Sequence, residues 1–154
     1  SWMHDLYGNP DENLTSANLL VNSNYPLFIN QFIPELKKKK VVFVCSENAN
    51  LQDTRFNIVK DFRVGQNCIV NDHHLLEEIK GWISENKISD HVFLFSASSL
   101  SEILIYELYK DNEKNTYIDV GTTLHPYIGL DVRRDYLKSY WGGIPHPDLF
   151  KSCV

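Results

Sequence analysis

Five clusters of small polar residues carry the groups able to do chemistry: Asn22-Ser23-Asn24, Ser46-Glu47-Asn48, Gln66-Asn67, Ser96-Ala97-Ser98-Ser99 and Asp119-Val120-Gly121-Thr122-Thr123. Asn, Ser and Asp side chains pair with sugar hydroxyls, and backbone N–H groups at helix starts attract phosphate. The same residue types also build the caps and turns that any α/β domain needs. Asp119, directly after an apolar run, can hold a ribose diol or cap the next turn. His125 stands close to Asp119 and Thr123 and is the titratable base best placed by location, with Glu47 as its competitor. Asp119 and His125 are therefore the candidate catalytic residues. Asn22, Asn24, Ser46, Glu47, Ser96, Ser98, Ser99, Gly121, Thr122, Thr123 and Arg133 are the candidate substrate contacts. Arg133 and Arg134 can neutralise a diphosphate leaving group, although ion pairs to Asp131 and Asp135 are the plainer use. His73 and His74 are adjacent, not four apart, and cannot face one metal from a helix.

Alternating strands and helices must position these groups. Val92-Phe93-Leu94-Phe95 and Val41-Val42-Phe43-Val44 are too continuously apolar for strands with one wet face, which implies burial on both sides. Asn18 to Val21 reads as a further short buried strand, and Thr116 to Val120 as another. The stretch from Ala49 to Asp61 is open between short helix and loop, followed by a strand near Phe62-Arg63-Val64. Pro26 fits the first turn of a helix running to about Leu36. Asp72 can cap a helix from His73 to about Asn86 with Leu75, Leu76, Ile79, Trp82 and Ile83 inward. Ser99 and Glu102 have capping-box spacing, ahead of a face made by Leu100, Ile103, Leu104 and Leu108. Val132 to Trp141 has the pattern of a last helix. About five alternations predict one three-layer, Rossmann-like α/β domain with a mainly parallel sheet, whose polar strand ends share one rim.

The totals set limits. At 154 residues with 43% hydrophobic and 23% charged, the chain is an ordinary globular domain. A net charge of −5 argues against a nucleic-acid face, and Lys37 to Lys40 reads as a solvated helix end. No apolar run is long enough to span a membrane, and no secretory signal is visible. Cys45, Cys68 and Cys153 lack C-x-x-C spacing, which fits a reducing, cytoplasmic setting. The termini, Ser1-Trp2-Met3 and Ser152-Cys153-Val154, suggest part of a larger protein. Without G-x-G-x-x-G or G-x-x-x-x-G-K-[ST], a dinucleotide loop, a P-loop and a methyltransferase-like domain are disfavoured.

Phe95-Ser96-Ala97-Ser98, Ile103-Leu104-Ile105, Leu108-Tyr109, Asn115 to Thr122 and Pro126-Tyr127 follow one another in an order that resembles the C-terminal half of GT-D-type glycosyltransferases. Leu20 to Asn24, Val41 to Val44 and Gln66-Asn67-Cys68 are similar to upstream segments of that family, so the likeness covers roughly Asn18 to Tyr136. It implies sugar transfer from a nucleotide-sugar donor, often UDP-linked, to a glycan or other acceptor, assisted by a divalent metal (Mn or Mg). Two positions depart from the family pattern. Its acidic Asp-x-Glu motif would fall before Trp2, and is either cut off, replaced by Asp11-Glu12, or lost. The one Asp-x-Glu present, Asp111-Asn112-Glu113, sits at the wrong end of a strand. The family's Asp before Pro-Tyr is His125 here. A non-catalytic binding or scaffold module that kept the fold is the alternative from another class.

Overall fold

Burial of both faces holds for the two apolar runs: Val41 to Cys45 and Phe93 to Phe95 are all 0% exposed. The computed structural model describes residues 19–142. Strands β1 (Lys40–Ser46), β2 (Asn57–Val64), β3 (Val92–Phe95) and β4 (Thr116–Asp119) form one all-parallel sheet in the order β2-β1-β3-β4. Successive side chains alternate between faces. Val41, Phe43, Cys45 and Leu94 enter one core, while Val42, Val44, Phe93 and Phe95 enter the other.

Helices close both cores, giving the expected three layers. Helix α1 is composite, α-helical over Tyr25–Leu27 and Ile33–Leu36 with a π-helical turn at Phe28–Phe32 between them. Pro34 explains the wide turn: it has no N–H to give to Asn30, and its ring would crowd that carbonyl in a regular helix. On the same face lies α5 (Asp135–Trp141), through Leu137 and Trp141. The opposite face carries α2 (Cys68–Asn71), α3 (Leu75–Asn86) and α4 (Ser99–Asp111). Among the described residues no helix is long and apolar enough to cross a membrane.

Several expectations are corrected. Leu19 to Val21 is not a strand: Leu19 is 55% exposed, Asn22 adopts φ 54° and Asn24 N–H closes a turn onto the Val21 carbonyl. The sheet therefore has four strands. The connection from β1 to β2 holds no helix; Ala49, Leu51 and Phe56 pack into the first core instead. The strand after it is also longer than Phe62 to Val64. The Ser99–Glu102 capping box does not form, because Ser99 is already inside α4 and Ser98 is the cap residue; the Ser101 hydroxyl accepts the Ala97 N–H instead. Asp72 uses its carboxylate on the Gly65 N–H rather than on α3. Ile103 faces outward at 39% exposure. The last helix starts at Asp135, three residues after Val132.

Burial pushes the Cys45 thiol up to about 11, against a smaller opposing pull from Arg63. Thiolate is the reactive form. Iodoacetamide at mildly alkaline pH is expected to spare Cys45 in the native chain and modify it in denaturant. Peptide mapping that finds native-state Cys45 modified would contradict this burial.

Candidate functional site

At the carboxyl edge of the sheet the chain runs in opposite directions on leaving β1 and β3. From β1 it crosses the first core outward to β2; from β3 it enters α4 on the other face and returns as β4. Such a reversal leaves a crevice where open α/β sheets bind ligands. A cleft of about 1280 Å³ opens there, lined by Ser46 from the end of β1 and by Ser96 and Ser98 from the loop after β3. Gly121, Thr122, His125 and Tyr136 form further parts of the wall, and Asn22, Arg133 and Arg134 also contribute.

Local bonds hold each part. Ser96 continues the ladder, its N–H donating to the Val44 carbonyl at 2.8 Å. Its hydroxyl donates to the Gly121 carbonyl at 2.6 Å and lies 3.4 Å from His125 Nε2. His125 opens a short 3-10 turn (His125–Tyr127), and its Nδ1 is 3.2 Å from the Asp131 carbonyl. A carbonyl can only accept, so Nδ1 carries the hydrogen and Nε2 is left as a lone pair. The Thr122 and Tyr136 hydroxyls bond to each other at 2.7 Å. On the β1 side, the Arg63 guanidinium donates to the carbonyls of Ser46 at 3.1 Å and Ala49 at 2.6 Å. It thereby pins the loop after β1. The Asn50 N–H bonds the Ile128 carbonyl at 2.9 Å and ties this loop to the one after β4.

Of the residues expected from sequence, Asn22, Ser46, Ser96, Ser98, Gly121, Thr122, His125 and Arg133 share this cleft. Six others do not line it. Thr123 is 1% exposed, with its hydroxyl on the Val120 carbonyl. Glu47 lies against Gly65, toward the β2 end. Ser99 and Asn24 also lie off the lining, and Asn67 caps α2 in the left-handed region beyond it. Asp119 is exposed beside the cleft and does not line it: its carboxylate accepts the Gly121 N–H at 2.9 Å and holds that residue at φ 50°. Arg133 is occupied by Asp131 at 2.6 Å, which leaves Arg134 as the lining cation without a described ion pair. Sequence reasoning missed Asp131, Gly129 and Tyr136. Gly129, at φ 69°, carried a signal, since a left-handed position favours glycine. The Tyr136 contact depends on how α5 packs and left none.

Three ionisable groups at the site are perturbed, of which Tyr136 is raised by burial against its bond to Thr122 and the Arg134 charge. Burial raises the Asp119 pKa, opposed by the Gly121 N–H, with Glu102 adding to the rise. Burial lowers that of His125; its contact with Asp131 opposes the shift and Arg134 reinforces it. A depressed histidine pKa means the unfolded chain takes up a proton first. Stability is thus full above the ordinary value of about 6.5 and falls as pH drops from there toward the folded pKa. His125→Gln should flatten this acid limb in pH-dependent melts, and an unchanged slope would contradict the burial argument. Asp119→Asn keeps an oxygen for the Gly121 N–H and is expected to melt within about 0.5 kcal/mol of wild type. Asp119→Ala loses that bond and should cost about 1 kcal/mol; equal melting of the two variants would contradict the turn-holding role.

Among the described residues no three His, Cys, Asp or Glu side chains come together to hold a metal ion. Asp11 and Glu12 lie outside the described residues. Comparison with protein-family models, with curated proteins and with solved structures returns no match. What the cleft can do is accordingly read from its geometry.

Proposed function

We propose that the chain is a glycosyltransferase domain that binds a nucleotide-sugar donor, UDP-linked, in the crevice between the ends of β1 and β3 and transfers the sugar to a glycan or other acceptor. The observation that carries this is the convergence of Ser46, Ser96, Gly121, Thr122 and Arg134 on one cleft at the sheet's point of reversal. A cleft of about 1280 Å³ exceeds the roughly 300–1,000 Å³ of ordinary small-molecule sites, which supports room for a donor and part of an acceptor. In the transfer an acceptor hydroxyl oxygen bonds to the anomeric carbon, the carbon–oxygen bond to the diphosphate breaks, and the hydroxyl proton passes to the departing diphosphate or to water. Negative charge builds on the departing diphosphate. Arg134 and the positive end of the α4 helix dipole, beside Ser98, are the groups here that offset it.

One observation favours the second reading, a non-catalytic binding module: the Asp119 carboxylate is committed to the Gly121 turn and does not line the cleft. Thermal-shift titration with UDP, GDP and S-adenosylmethionine separates the classes. A transferase should be stabilised by a nucleoside diphosphate, by about 2.7 kcal/mol at a ligand concentration 100 times Kd. Binding without turnover of UDP-sugars supports the module. A response to S-adenosylmethionine alone would reverse the assignment.

A further inference from the structure

The wall formed by Ser96, Gly121 and His125 has an unusual polarity. The Ser96 hydrogen is spent on the Gly121 carbonyl at 2.6 Å, so Ser96 Oγ offers lone pairs only. His125 has spent its one ring hydrogen on the Asp131 carbonyl, so Nε2 also offers a lone pair. The two atoms stand 3.4 Å apart, and both residues line the cleft. Two acceptors facing each other with no hydrogen between them repel slightly. With Nε2 unprotonated, a donor from outside can satisfy both. An ionised phosphate oxygen is disfavoured there, because it would bring a third acceptor. The neighbouring Thr122–Tyr136 pair shares one hydroxyl hydrogen and keeps the other to give, so it imposes no such demand. Positive charge lies at Arg134, on the segment leading into α5.

We infer that Ser96 Oγ and His125 Nε2 together receive a hydroxyl hydrogen of the donor's sugar, while the diphosphate is taken at Arg134, which fixes the direction in which the donor lies. The inference rests on the nucleotide-sugar reading and refines it. His125 then acts as a recognition group for the transferred sugar rather than as the catalytic base. Burial and the nearby Arg134 charge, against the opposing pull of Asp131, favour the neutral ring, the form that this role requires.

Two measurements test it. The first is histidine tautomer by nitrogen-15 NMR on the ligand-free chain, expected to show hydrogen on Nδ1 of His125 and none on Nε2. Hydrogen on Nε2 would overturn the inference whatever the chain binds. The second is calorimetric titration of wild type, His125→Phe, His125→Gln and Ser96→Ala with UDP and with a panel of UDP-hexoses. For the best-bound UDP-hexose, His125→Phe and Ser96→Ala should each weaken binding about tenfold. Neither should change UDP binding by more than about twofold. His125→Gln, whose side-chain oxygen can accept from the same side, should recover part of the loss. Equal losses for UDP and UDP-hexose, or none for either, overturn the inference and leave the nucleotide site standing. Failure of wild type to bind UDP at all removes the nucleotide reading and this inference with it.

Discussion

Arg134→Glu is expected to lower the affinity for UDP about 100-fold in calorimetric titration, with the melting temperature unchanged. A hydrogen bond to a charged group contributes about 1.5–3 kcal/mol, and a carboxylate in the same place adds repulsion. Arg134 lines the cleft from an exposed position at the start of α5, where its backbone carbonyl, not its side chain, accepts the first helical N–H groups. Charge reversal should therefore leave the helix intact. Arg133→Ala is the contrasting change. Its guanidinium is held by Asp131 at 2.6 Å in an exposed pair, so the loss should stay within about threefold. Wild-type affinity in Arg134→Glu would place the phosphates elsewhere.

Tyr25→Phe is expected to cost about 2–4 kcal/mol and lower the melting temperature by roughly 10 °C. Tyr25 is 1% exposed; its hydroxyl donates to the Thr123 carbonyl at 2.7 Å and accepts the Trp141 indole N–H at 2.9 Å. One oxygen thus joins α1, the loop after β4 and α5. Removing it strands a carbonyl and an N–H in the core, and a buried unpaired group costs about 1–3 kcal/mol. The Tyr25 ring also meets Tyr136 edge-on at 5.0 Å, so the cleft wall loosens with it. UDP binding should weaken severalfold in the same variant. Tyr109→Phe, at 53% exposure, serves as the comparison and should stay within about 0.5 kcal/mol. Equal melting of the two would mean that the buried hydroxyl joins nothing of consequence.

Where both faces of a strand are buried, hydrophobicity alone marks it, and β1 and β3 were legible for that reason. β2 was legible only at its end, Phe62 to Val64, because an edge strand with Lys60, Asp61 and Arg63 among its residues shows no apolar run. Leu19-Leu20-Val21 misled in the opposite way: the residues are apolar, but Asn22 in the left-handed region turns the chain before a strand can pair. Of the rim, Ser46, Ser96 and Thr122 were visible because parallel strands deliver their carboxyl ends to one edge. Asp119 was correctly located at that edge, but its bond to the Gly121 turn was not legible, since a carboxylate two residues before a glycine can fold back on its N–H. The Asp131 carbonyl that orients His125 is a backbone atom six residues away, and no side-chain pattern announces it.

The most direct test of the central claim is an amide NMR titration with UDP. Binding in the crevice predicts the largest shift changes at Ser46, Ser96, Gly121 and Thr122, at the carboxyl ends of β1, β3 and β4. Changes grouped instead at Lys40, Asn57 and Val92, at the strands' opposite ends, or no change at any of these residues, would contradict a nucleotide site between β1 and β3.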